Sequence, residues 1–215
     1  MGQLMRMIHV ILEVVDAGQP SLTAYRRIIL NVSGDPIKAP IEVRPLAEYL
    51  STPVNKLSGP QRHMGKWEFY RGINLNGPAI KIDSNKWQGD DAPDLICKDR
   101  AIDSPGVALR PPTNETRAKM IHSFRWNHRA QIKMKRVPRG KYAVYAYLWE
   151  DNNLETFSIS LQGKVVSRDY YSGQEGQWRR LGPWITNVAD GVISITSSGG
   201  AVNFSGIELW QEVKP

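Results

Sequence analysis

The last third of the chain alternates. Tyr142–Trp149, Phe157–Leu161, Val192–Thr196 and Val202–Trp210 are short runs built on a period of two, and Gly, Asn or Asp residues punctuate the gaps between them. A period of two sends successive side chains to opposite faces of a pleated ribbon, whereas a helix needs 3.6. Runs of this kind separated by turn residues predict antiparallel strands stacked as a two-sheet sandwich, not a parallel α/β fold. The expected fold class is therefore all-β: an antiparallel, jelly-roll-like sandwich with one short helix, preceded by a β-hairpin and a Pro-rich linker.

Three segments follow from local composition. Residues 1–32 hold two strand-like runs, Met7–Val15 and Tyr25–Val32, around the turn chemistry of Asp16-Ala17-Gly18-Gln19-Pro20-Ser21. Two strands alone bury no core, so this hairpin packs on another domain, pairs between chains, or closes a domain that begins upstream. Residues 33–65 contain Pro36, Pro40, Pro45, Pro53 and Pro60, a density that favours extended backbone and reads as a semi-rigid linker. Within it, Pro45–Leu50 has room for about one helical turn. Residues 66–215 form the main unit. The helix is placed after Pro111-Pro112, where Thr113 and Asn114 are good N-caps, Glu115 suits the positive end of the helix dipole, and Ala118, Met120, Ile121 and Phe124 supply apolar contacts.

Charge and cysteine content narrow the function classes. The net charge of +7 invites a nucleic-acid reading, yet the densest basic run, Lys133-Met134-Lys135-Arg136, interleaves with Ile132, Met134 and Val137. That pattern is a strand with a basic solvent face, and no nucleic-acid-binding module accompanies it. The excess suits solubility or adhesion to acidic surfaces. The single cysteine, Cys97, excludes an internal disulfide and a thiolate metal site, and its strand-like setting reads as a buried, inert thiol. No stretch of eighteen apolar residues is present, so no membrane-spanning helix is expected, and the N-terminal apolar run, broken by Glu13 and Asp16, is not a secretory signal.

Three further stretches carry a family resemblance. Gly72-Ile73-Asn74-Leu75-Asn76-Gly77-Pro78-Ala79 followed by Ile82-Asp83-Ser84-Asn85-Lys86-Trp87 resembles the opening of malectin-like carbohydrate-binding domains, in which a first strand leads into a D-G-x-x-W/Y loop. Tyr142–Asp151 is similar to the family's central strand, Y-x-V-x-L-x-F-x-E, and Asn203–Trp210 to its closing strand, N-x-x-G-I-E-I-x. Order and spacing fit over residues 70–210. Ser84 stands where Gly is common, and Trp149 where a small residue often sits. The resemblance implies a sandwich that binds carbohydrate through aromatic and acidic loop residues, as one module of a larger extracellular bacterial protein. Residues 8–27 in turn resemble the closing hairpin of Ig- or cadherin-like domains of bacterial surface and polysaccharide-associated proteins.

Aromatic rings on loops suit the apolar faces of sugars, while an indole N–H or a neighbouring amide meets the hydroxyls. Trp87, flanked by polar residues, is either such a platform or a plug under its loop. Asp83 either orients that loop by Asx-type bonds or accepts from a sugar. Trp126 lies in Phe124-Arg125-Trp126-Asn127-His128, a mixture of donors, acceptors and a π-face. Tyr170 and Tyr171 are adjacent, so at least one is expected to face solvent, and Trp178 follows in the same loop region. Tyr145 and Tyr147 share one face of their strand with Trp149; Trp184 and Trp210 read as core. Glu150-Asp151-Asn152-Asn153 reads as a turn that is also able to bind sugar hydroxyls or calcium. The carbohydrate-binding set is thus Trp87, Trp126, Tyr170, Tyr171, Trp178, Asp83, Asn127 and Glu150. His122 and His128 lack a third metal ligand at a recognisable spacing, so no metal is assigned and no cofactor is implied beyond that calcium.

The expected function is non-catalytic binding of polysaccharide or oligosaccharide in the service of a catalytic domain in the same protein, outside the cell or at its surface, without nucleic-acid or membrane partners. Two alternatives stand beside it. One is a glycoside hydrolase whose acidic pair is drawn from Asp83, Glu150 and Asp151; a hydrolase needs two carboxyl groups facing one bond. The other is a structural or adhesive module that dimerises through residues 1–32.

Overall fold

The computed structural model describes residues 6–15, 23–32, 46–61 and 65–213. They belong to two units, Met1–Val43 and Arg44–Pro215. The first is an antiparallel hairpin of two ten-residue strands, β1 (Arg6–Val15) and β2 (Thr23–Val32), in a register that pairs Val10 with Ile28. Both strands match the sequence expectation; the turn assigned to 16–21 and, of the linker assigned to 33–65, residues 33–45 and 62–64 lie outside the described residues.

The second unit begins with a six-residue helix, α1 (Leu46–Ser51). There follow β3 (Trp67–Asn74), β4 (Ile80–Ile82), β5 (Asn85–Trp87), β6 (Leu95–Cys97), β7 (Arg100–Asp103), helix α2 (Glu115–His122), β8 (Ser123–Asn127), β9 (Gln131–Met134), β10 (Gly140–Trp149), β11 (Thr156–Leu161), β12 (Lys164–Tyr171), β13 (Trp178–Val188), β14 (Ile193–Ser198) and β15 (Val202–Glu212). All strand pairs in the two main sheets are antiparallel. One sheet runs β13-β10-β15-β8-β7, with β3 also on β15; the other runs β12-β11-β14-β9-β6. The long β15 pairs with β8 through Val202–Phe204 and with β3 through Gly206–Glu212, so two short strands share one of its edges in tandem.

The expected sandwich is present. Its core interleaves Val144, Ala146 and Leu148 of β10, Phe204, Ile207 and Leu209 of β15, and Ile73 of β3 with Ile132 of β9, Ile159 of β11 and Ile195 of β14. Strict alternation along β15 cannot put both Val202/Phe204 and Ile207/Leu209 inward. A bulge opposite Tyr147 and Leu148 resolves this by resetting the parity, and Ser205 there donates to Ile121 O at 2.7 Å. The basic run behaves as expected: Ile132 and Met134 are buried while Lys133 and Lys135 are exposed.

The larger sheet is covered on its outer face as well. Tyr147 and Trp149 of β10 pack there with Trp87, Trp178, Met120, Ile121 and Phe124 in a second apolar cluster. Three elements roof it. Helix α2 is capped by Asn114, whose side chain accepts from Arg117 N at 3.0 Å. The β4–β5 hairpin turns through Asp83 and Ser84, both at positive φ (50° and 72°), the conformation a two-residue type I′ turn demands. The third is the segment 52–61, which the sequence reading assigned to the linker. Here it is fastened to the sandwich: Thr113 Oγ1 and Arg117 donate to Val54 O, Asn114 Nδ2 donates to Asn55 O, and Leu57 N donates to Asp83.

Candidate functional site

Strand β10 leaves the core at its C-terminal end, and Trp149 and Glu150 deliver the chain into the Asn152-Asn153 loop. The end of β8, the start of β15 and the start of β11 meet the same corner of the sandwich. Together they border a depression of about 230 Å³ lined by Trp126, His128, Trp149, Glu150, Asn152, Asn153, Glu155, Phe157, Ala201 and Asn203. Trp126 is half-buried, and the His128 ring stands edge-on to it at 5.2 Å between centroids. Asn203 Nδ2 donates to Asp151 at 2.9 Å. A flat ring, three amide side chains and two carboxylates are the groups that cover a sugar face and bond its hydroxyls.

Glu150 sits on the floor of this corner. It is 3% exposed, and its carboxylate accepts from Ser172 Oγ at 2.7 Å and from Asn152 N at 3.2 Å. Burial pushes its carboxyl above the ordinary carboxylate range, and the two hydrogen bonds bring it part of the way back. The side chain holds the Asn152 loop to the Ser172 loop and so shapes the depression. Trp149 brings its ring to the same wall, and its indole Nε1 is buried with no hydrogen-bond partner among the described residues.

The remaining expected site residues scatter. Trp87 is a plug: it is 3% exposed, stacks on Phe69 and meets Tyr147 edge-on. Its ring lies so close to the β3 backbone that a side-chain carbon added at Gly72 would stand 2.2 Å from it. This corrects the platform reading, because no face of the ring is left for a ligand. Trp178, also 3% exposed, is corrected in the same way: it stacks on Tyr147 with planes 12° apart and donates from Nε1 to Pro111 O at 2.6 Å. Asp83 is spent on Leu57 N and the Arg117 guanidinium. Asn127 turns to the far side of β8, where it donates to Asp99 at 2.7 Å. Tyr170 packs on Phe157 at 5.5 Å and Tyr171 is 53% exposed; both border a separate groove of about 430 Å³ with Gln174 and Gln177.

Of the acidic residues considered for catalysis, Asp83 is held under the roof, Glu150 by Ser172, and Asp151 by Ser104 and Asn203. Their carboxylates point to different partners. Among the described residues no cluster of three or more His, Cys, Asp or Glu side chains is arranged to hold a metal ion, and His122 bonds Val107 O at 2.8 Å. The sequence reading missed Glu155 and Asn203 as site residues. Asn203 was detectable as a polar residue inside the apolar run Val202–Phe204; Glu155 had no local signal.

Comparison with known proteins adds three findings. The family described as "Cellulose-binding protein Sde0182, C-terminal domain" matches residues 2–32, which is the hairpin unit. No curated protein matches the chain. Among solved structures, the chain is similar to a calcium binding mutant of Bacteroides uniformis β-glucuronidase 2, with TM-score 0.54, 15% identity, and coverage of 96% of this chain and 22% of that one. It is also similar to the ANX1 ectodomain from Arabidopsis thaliana, with TM-score 0.55, 10% identity, and coverage of 69% of this chain and 49% of that one. The chain thus spans less than half the length of either, and at these identities the likeness shows the fold alone.

Proposed function

We propose that the sandwich is a non-catalytic carbohydrate-binding module whose site is the corner between β8, β10, β11 and β15. The observation that carries this reading is the grouping of the half-buried Trp126 with Asn152, Asn153, Asn203, Glu150 and Glu155 around one depression. Trp126 stacks on a sugar ring, the amides bond its hydroxyls, and Glu150 holds the loop in place. A site so shallow retains water and binds weakly to moderately, and its use is to hold a linked catalytic domain near its polysaccharide. The family matched by residues 2–32 is named for a cellulose-binding protein, which supports a setting among extracellular polysaccharide-directed proteins and makes cellulose the first polymer to try.

The test is retention of the full chain on insoluble polysaccharides, with a glycan array for soluble ligands. Trp126→Ala should lower retention about tenfold, the scale of one lost stacking contact and its buried area, while the variant stays folded with a thermal midpoint lowered only by the loss of the ring's contact with the outer cluster. Equal retention of parent and variant on every glycan, or no retention of the parent on any, overturns the reading.

A further inference from the structure

The chain alternates across β8 and its turn: Trp126 and His128 face the corner depression, whereas Asn127 and Arg129 face a groove of about 380 Å³ on the other side. The groove is bordered by Lys98, Arg129 and Lys133, with Asp99, Asn127 and Gln131 between them. The three cations are exposed and have no hydrogen-bonded or ion-paired side-chain partner among the described residues. The one carboxylate among them is already engaged. Asp99 is buried, and it accepts from Asn127 Nδ2 at 2.7 Å, from Gln131 N at 2.9 Å and from the Cys97 thiol at 3.6 Å. Its neighbours Arg125 and Asp90 neutralise each other in an ion pair. The three cations outnumber the single Asp99 carboxylate, whose hydrogen bonds from neutral donors do not cancel its charge, so the groove keeps an excess of about two positive charges and presents two amide side chains directly across the strand from the Trp126 depression.

We infer that this groove is an anion-binding extension of the carbohydrate site, so that the ligand is a polysaccharide bearing carboxylate or sulfate groups. A chain laid over the rim formed by residues 126–129 sets a sugar face on Trp126 and brings an acidic substituent of a neighbouring residue to Arg129, Lys98 and Lys133. Single-stranded nucleic acid fits less well, and duplex DNA, which needs only phosphate contacts, is an arm of the test below. No ring lines the groove for bases to stack on, and such stacking is the usual complement to a cationic channel for single strands. The inference rests on the carbohydrate reading of the Trp126 corner.

The experiment measures retention of the full chain on a carboxylated polymer (polygalacturonate), a sulfated polymer (heparin), a neutral polymer (cellulose) and duplex DNA, each over a range of salt. The variant Lys98→Gln/Arg129→Gln/Lys133→Gln should bind one or both acidic polysaccharides at least about tenfold more weakly and lose much of the salt dependence, because fewer counterions are released on binding. Its binding to any neutral glycan should not change. The control Lys81→Gln/Lys86→Gln/Lys164→Gln removes the same charge from other exposed positions and should bind as the parent does. The inference is overturned if both triple variants lose retention equally, if duplex DNA is retained as tightly as the acidic polysaccharides, or if the parent prefers neutral polymers. Trp126→Ala separates the two readings. Loss of neutral-glycan binding with an inert groove variant leaves the corner site and removes the groove. Loss only with the groove variant removes the corner site and leaves a groove that acts alone.

Discussion

Asp83 and Arg117 form an ion pair beneath the roof of the outer sheet face, with the Arg117 side chain fully buried. The pair joins the β4–β5 turn to α2, and both partners also hold the segment 52–61, Asp83 through Leu57 N and Arg117 through Val54 O. Removing one charge strands the other in a dry site, which typically costs about 3–5 kcal/mol, whereas replacing both with neutral groups of similar shape costs far less. Asp83→Asn keeps a residue tolerant of positive φ in the turn and should lower the unfolding free energy, measured by urea denaturation, by an amount in that range. Adding Arg117→Met should recover much of the loss. A double variant no more stable than the single one contradicts the charge argument.

The packing of Trp87 on Gly72 yields a second prediction. Trp87→Ala empties the centre of the outer cluster and should cost about 3–5 kcal/mol. Gly72→Ala forces a methyl against the indole, 2.2 Å from its Cδ2, and should cost at least about 1–3 kcal/mol. Chemical denaturation of the two variants measures both. The prediction fails if Trp87→Ala is as stable as the parent, a result that would place the ring at the surface.

Glu150 makes stability depend on pH. Its folded-state carboxyl is raised by burial above the unfolded value of about 4.3, so the folded protein holds that proton more tightly than the unfolded chain does. The contribution to stability is complete below about pH 4.3 and is lost as pH rises through the folded value. Glu208 shares the sign for the same reason, although Arg180, Trp210 and Tyr147 all donate to it and oppose the shift. Glu150→Gln removes one of these groups. The variant should gain stability relative to the parent at pH 7, with the difference shrinking toward pH 4. Unfolding midpoints across that interval test it, and a difference that grows toward acid contradicts the sign.

What could be read in advance follows physical range. The strands were visible because alternation is local, and the helix because Asn114 and Glu115 mark its start. Tyr142–Trp149 also carried an unused signal: it has no polar residue on either face, and a strand with two apolar faces is buried on both. Trp87 was ambiguous because its polar neighbours Lys86 and Gln88 do point outward on a short strand that turns the indole in. The glycines that admit its ring, Gly72 and Gly206, are remote in sequence. Trp126 and Glu150 were named, but their meeting with Asn203 depends on strand pairings that no single segment encodes. The roof was invisible for the same reason, since Val54 meets Thr113 and Asp83 meets Arg117 only in the folded chain.

Cys97 lies on the edge strand β6, half-buried, with its thiol donating to Asp99. Burial, more than the neighbouring Asp99 charge, pushes the thiol up to about 12. The thiolate, not the thiol, is the nucleophile, so at pH 8 the reactive fraction is of order 10⁻⁴ against tens of percent for an ordinary cysteine of pKa near 8.5. Alkylation by iodoacetamide at pH 8 should therefore be at least about fortyfold slower for the native protein than for the urea-unfolded chain, once the lower basicity of the free thiolate is allowed for. Asp99→Asn removes a like charge but leaves the burial, so the native rate should rise only modestly. Native labelling as fast as that of the unfolded chain would show that β6 does not shield the thiol, and with it that the Asp99 carboxylate anchoring the adjacent groove is not held as described.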